Sequence, residues 1–96
     1  MMNEVTDEKL NKYFSITQEA LDMASKAEKR EDMKAEAEDF LDMAQRYFSD
    51  AGHFRDQGNK VLAFAALNYA HGWLDAGARI QLFKVKDSRL FTVDDE

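Results

Sequence analysis

Apolar positions recur at three- and four-residue steps along most of the chain. Leu10, Tyr13, Phe14, Ala20, Leu21, Ala24 and Ala27, with Thr17 among them, fall on one side of a helical wheel. Met33, Ala37, Phe40, Leu41, Ala44, Tyr47, Phe48, Ala51 and Phe54 form a second stripe of the same period. Carrying the first phase into the second at about 100° per residue leaves the stripe centres roughly 160° apart. One continuous rod would therefore turn its two apolar sides in opposite directions. A break at KREDM, 29–33, with Asp32 as a new N-cap, lets both meet one core. Thr6 caps the start, and Asp7 and Glu8 follow where the helix dipole favours negative charge. The run Asp56-Gln57-Gly58-Asn59 is a second stop, because Gly58 or Asn59 can take the left-handed cap conformation. These signals predict helices at about 7–29, 33–57 and 60–83 and a short extended C-terminal tail at 84–96. The short connections make neighbours antiparallel, which gives an all-α, up-down-up three-helix bundle in one domain.

The third helix carries the most specific pattern. Leu62, Tyr69, Trp73 and Ile80 make one bulky ridge and Leu67 and Leu74 another, with Ala63, Ala66, Ala70 and Gly77 between them. A trough of small residues between two ridges suits a helix lying in the groove of two others, so this surface is expected to face inward. Asn68, His71, Gly72, Asp75 and Arg79 then form the outward stripe. The one-turn steps from His71 to Asp75 and from Asp75 to Arg79 allow a polar ladder there. Phe64 and Leu82 fall in the same outward arc, where apolar side chains call for a partner or for the tail.

Composition narrows the chemistry. With no Cys there is no disulfide framework, thiolate metal site or Cys nucleophile. A net charge of -6 repels phosphate backbones and argues against a nucleic-acid partner, and Lys84, Lys86 and Arg89 make a poor patch ahead of DDE. The longest apolar run, VLAFAAL at 61–67, is far short of the roughly 20 residues that span a bilayer. A cytoplasmic protein without membrane attachment is the expectation. Proline is absent, which leaves helix favoured almost everywhere.

The segment YFSDAGHFRDQGNKVLAFAALNYAHGWLDAGARIQLF, 47–83, resembles a family of small archaeal helical proteins known as domain of unknown function 357. YAHGWLDAG with the following Arg79 is the most specific part, and the likeness covers the second and third helices and the RLF stretch of the tail, 89–91. It implies a short helical bundle and carries no activity, cofactor or partner. The alternation of small and large residues through Tyr47, Ala51, Phe54, Ala63, Ala66 and Tyr69 also looks like that of tetratricopeptide-type hairpins and microtubule-interacting-and-trafficking domains. Both hold a partner helix or peptide in a groove.

Catalysis is poorly supplied. His71 and Asp75 could form a base and its orienter, yet no Ser, Thr or Cys nucleophile shares their face and no Gly-rich loop offers an oxyanion or phosphate cradle. Arg46 and His53 have the Arg-x6-His spacing of ribonucleases built on the nucleotide-binding helical bundle of higher eukaryotes and prokaryotes, and this RNA-processing reading is the alternative. Tyr47, however, stands where that group usually has a polar residue. Metal ligation is limited to His71 and Asp75 at one-turn spacing and to carboxylates at Glu36, Glu38, Asp39 and Asp42, without the Glu-x-x-His signature of di-iron bundles. No metal or cofactor is expected. The tail residues Val85, Leu90, Phe91 and Val93 favour extended structure, folded back over Phe64 and Leu82 or free to dock on another chain. The chain is therefore read as a non-enzymatic protein-interaction module, alone or as a homodimer. Its expected surface is Phe64, Asn68, His71, Asp75, Arg79 and Leu82 with the tail, and a structural subunit of a larger complex ranks behind.

Overall fold

A computed structural model describes residues 4–93. Among these residues it contains α1 (Asp7–Lys26), a 3-10 turn at Glu31–Met33, α2 (Lys34–Asp56) and α3 (Lys60–Arg79), followed by an irregular tail. α2 and α3 form an antiparallel hairpin with the most extensive contact. α1 lies mainly against α3, which makes the third helix the central element. This is the expected all-α three-helix bundle. The last three positions of the predicted tail, 94–96, lie outside the described residues.

The ends of the helices follow their local chemistry. Thr6 caps α1 by accepting from the Lys9 amide at 3.1 Å. α1 stops at Lys26, three residues before its predicted end, where Ala27 turns extended. The Lys29 ammonium donates to the carbonyls of Ala24 and Ser25 at 3.1 and 3.0 Å and also to that of Ala27, which satisfies acceptors the helix end leaves over. Asp32 does not cap α2; it accepts from Arg30 Nε at 2.9 Å inside the 3-10 turn, and Met33 holds the cap position without a side-chain bond.

The α2–α3 turn is a Schellman motif. Gly58 takes φ +78° while the Gly58 and Asn59 amides donate to Arg55 and Phe54 carbonyls at 2.9 and 2.8 Å. Asn59 serves the next helix instead, accepting from the Leu62 amide at 3.1 Å. α3 ends in the same way, four residues earlier than predicted. Gln81 takes the left-handed position (φ 59°), and the Gln81 and Leu82 amides donate to Ala78 and Gly77 at 3.1 and 2.8 Å. A non-glycine residue there costs roughly 1 to 2 kcal/mol, which the packing that follows must offset.

That packing comes from the tail. Leu82, Phe83, Leu90 and Phe91 are buried at 0–3% exposure in the larger of two core clusters, together with Leu21, Ala24, Ala44, Leu74 and Ala78. Each such side chain contributes roughly 1.5 to 3 kcal/mol on leaving water. The chain reaches them by pairing with the α1–α2 connection. Phe83 forms an antiparallel bridge with Lys29, the Lys84 amide donates to Glu28 and the Arg30 amide to Leu82, both at 2.9 Å. The second cluster, Leu10, Phe14, Ala51, Ala63, Ala66 and Leu67, closes the other end of the bundle.

Candidate functional site

α3 divides the candidate surfaces between two sides. On the side toward α1, His71 is half-buried and sits between elements: Nδ1 lies 3.2 Å from Thr17 Oγ1 and Nε2 lies 2.5 Å from the Leu90 carbonyl. A carbonyl only accepts, so Nε2 carries the proton toward Leu90 and Nδ1 accepts from the Thr17 hydroxyl. Thr17 is otherwise sealed, at 1% exposure on α1. One turn along, Asp75 accepts from the Thr92 amide at 2.9 Å. Asp87 turns the tail by accepting from the Arg89 amide at 3.0 Å, and the Leu90 and Phe91 amides donate back to its carbonyl. Arg89 then reaches across to α1 and grips both oxygens of Glu19. That guanidinium hydrogen bond holds the Glu19 carboxyl below its usual range; its lost hydration opposes the shift and the Arg89 charge adds to it.

The polar stripe expected to look into solvent is therefore the clasp of the tail. His71 is half-buried and tied to Thr17 and Leu90, and His71, Asp75 and Arg79 do not form the expected ladder, since two of the three are engaged by Leu90 and Thr92. Leu82, placed by its phase on the same outward arc, lies past the end of α3 and is wholly buried. Phe64 is half-buried, its ring 5.1 Å edge-to-face from Tyr13 and 5.3 Å from the Lys9 ammonium. Only Asn68 and Arg79 of the six expected surface residues stand exposed. The tail runs without turns through 84–87 and then bends through turns at 88–93.

Gly77 also has a more specific role than a close helix contact. The Phe83 ring occupies the space a side chain would need, with Cζ 2.3 Å from where a Cβ would stand. The glycine is a socket for an aromatic ring from the tail.

The other side of α3 reverses the expected pattern. Leu62, Tyr69 and Ile80, assigned to the inward ridge, are 45%, 53% and 46% exposed, and neighbouring Val61 is 67% exposed. The buried arc of α3 is rotated by roughly 35° toward Leu67 and Leu74, because α1 and the tail together cover that side. Trp73 is half-buried; its ring meets Phe40 edge-to-face at 5.0 Å and Tyr69 at 6.3 Å, and Tyr69 meets Tyr47 at 4.3 Å. Trp73 Nε1 is shut off from solvent and has no hydrogen-bond partner among the described residues. Four rings thus line one face of the α2–α3 hairpin, bordered by exposed Ala65, Gly72 and Ala76. The ridge of Leu62, Tyr69 and Ile80 is legible in the periodicity, and its exposure is the feature the sequence reading missed.

Arg46 and His53 both stand exposed on α2, and the Arg46 guanidinium is held by Asp42 at 2.9 Å. Among the described residues no group of three or more His, Asp or Glu is placed to hold a metal ion, and no helix is long and apolar enough to cross a membrane.

The fold defines a small three-helix bundle whose third helix is clasped by its own tail. The chain belongs to the family described as a protein of unknown function, DUF357, which matches residues 12–83, three quarters of its length. The match takes in most of α1, beyond the two helices that carried the resemblance, and ends at the ring that fills the Gly77 socket. Comparison with curated proteins and with solved structures gave no match.

Proposed function

We propose that this chain is a small, non-enzymatic helical interaction module that meets a protein partner through the outer side of α3. The surface runs from Val61 and Leu62 through Tyr69 to Arg79 and Ile80, with Asn68 at its margin. One observation carries the reading: four large apolar side chains of α3 lie open to water while the core is already filled by α1 and the tail. Solvated apolar side chains of this size add little to the fold, and Leu62, Tyr69 and Ile80 recurring along one side of the helix support an association surface. Helices recognise such rows through anchors about one and two turns apart, and Leu62, Tyr69, Trp73 and Ile80 have that spacing. The tail belongs to the module as its clasp, since His71 and Asp75 spend their hydrogen bonds on Leu90 and Thr92.

Site-specific photo-crosslinking in the source cells tests this. A photoreactive residue replacing Tyr69 is expected to give a discrete protein adduct that disappears when Ile80→Glu is added. One replacing Asn11, exposed on α1, is expected to give none. Absence of any adduct at position 69, or an equal yield at position 11, overturns the reading.

A further inference from the structure

We infer that the aromatic face of the α2–α3 hairpin is closed by a second copy of the chain, related by a two-fold axis level with His71 on α3. The inference rests on the interaction reading above and names its partner. In a two-fold interface each contact occurs twice with the roles exchanged, so the patch must match itself after reversal. The row formed by exposed Leu62, Tyr69 and Ile80 with half-buried Trp73 does. Leu62 and Ile80 each lie nine residues from position 71, and Tyr69 and Trp73 each lie two residues from it.

The same symmetry extends to α2. Tyr47 contacts Tyr69 and Phe40 contacts Trp73, at 4.3 and 5.0 Å, so position 71 on α3 is level with the midpoint between 40 and 47 on α2. A rotation about an axis through that level lays α3 antiparallel on its copy. Tyr69 then meets the second copy's Trp73, Leu62 its Ile80 and Phe40 its Tyr47. Beside the two central rings the exposed positions are small: Ala65, Gly72 and Ala76, with nothing within 4 Å of where a Gly72 side chain would begin, which leaves room for the rings of a second copy.

A helix of 20 residues is about 30 Å long, and two helices side by side are about 20 Å wide, which gives a face of roughly 600 Å², below the ~800 Å² per partner of a standard interface and at the low end for a specific one. The chain's own tail does not compete for it, being held on the α1 side of α3 by His71, Asp75 and Glu19.

The charges at the rim supply a directional check. Glu36 and Asp50 are exposed on α2, each seven residues from position 43, so the rotation brings each near the other's copy and like charges face. Asp50→Lys converts that repulsion into attraction, whereas an unspecific hydrophobic association is indifferent to it.

Sedimentation equilibrium of the purified chain decides the matter, read alongside the emission of Trp73, its single tryptophan. The wild type is expected to dimerise, with Trp73 emission moving to the red on dilution as the face opens to water. Tyr69→Glu and Ile80→Glu each weaken association roughly tenfold or more with unchanged helicity, and Asp50→Lys tightens it several-fold. A wild type that stays monomeric at every concentration overturns the inference, as does a dimer that survives both Glu variants or that Asp50→Lys leaves unchanged. An adduct between position 69 and a different protein would leave the interaction reading standing while the second copy falls.

Discussion

The two long sides of α3 invert the usual relation between polarity and exposure. The side bearing His71 and Asp75 is covered, whereas the side bearing Val61, Leu62, Tyr69 and Ile80 is open. The nature of the covering chain explains the difference. An irregular segment arrives with backbone groups that no helix or sheet has satisfied, here the Leu90 carbonyl and the Thr92 amide, and only polar side chains can pair with them. A helix arrives with its backbone already paired and asks its neighbour only for apolar contact. Polar residues on a helix face thus mark a docked tail as readily as they mark water.

The largest effect that sharpens this comparison belongs to Phe83 in the covered side. Phe83→Ala empties the Gly77 socket and is expected to cost about 3 to 5 kcal/mol in chemical denaturation. Gly77→Ala tests the same contact from the other partner. In an ordinary helix interior that change stabilises by roughly 1 kcal/mol, but here the new Cβ meets the ring, and a net loss of about 1 to 3 kcal/mol is expected. Combined with Phe83→Leu, the cost of Gly77→Ala should shrink, because the two positions share one contact. A neutral or stabilising Gly77→Ala in the wild-type background would show that the ring does not occupy the socket.

Next in size is the clasp. Asp75→Ala leaves the Thr92 amide without its acceptor and is expected to cost about 1 kcal/mol. Faster hydrogen exchange should be confined to the tail, with α2 and α3 unchanged. Uniform acceleration through all three helices would mean that the tail and bundle open as one unit.

Much of the fold was legible in the sequence. The phase reversal near position 30 required a break because two apolar stripes cannot share one straight rod and one core. Thr6 and the Gly58-Asn59 pair announced their caps through local chemistry. The candidate site was less legible, and the reason lies in one segment. Read as an appendage, the tail leaves α3 to fill its surroundings with α1 and α2 alone, and the ridge of Leu62, Tyr69 and Ile80 must then point inward. Once Leu82, Phe83, Leu90 and Phe91 join the core, the inward side shifts to Leu67 and Leu74 and the ridge is released to solvent. Gln81 in the left-handed position gave no warning of the early end of α3, since the motif usually carries glycine there.

Acid offers a gentler way to loosen the covered side alone. Because its bond to Arg89 depresses the Glu19 pKa in the folded chain, the stabilisation is present above the unfolded carboxylate value and is lost as pH falls through the folded one. Below about pH 4 the protection factors of the tail amides, taken relative to the slower intrinsic exchange in acid, should therefore be lower than at neutral pH, with a response muted by the exposure of the pair. Glu19→Gln should remove the part of that pH dependence that Glu19 supplies. If the variant retains the full wild-type response, the grip of Arg89 on α1 is not what acid releases.

The smallest effect on the folded chain is expected at the open side, and its smallness is the informative outcome. Tyr69→Gln removes a ring that is 53% exposed and leaves the contact between Phe40 and Trp73 intact. Measured on dilute protein, where any association is dissociated, the change in unfolding free energy should fall within about 0.5 kcal/mol. Measured at high concentration, the same substitution should lower the wild-type melting temperature, because only there does the intact face gain stability from being covered. A loss of several kcal/mol in dilute solution would show instead that Tyr69 holds the hairpin together, and the open side of α3 would then be part of the core's support and not a surface kept for another chain.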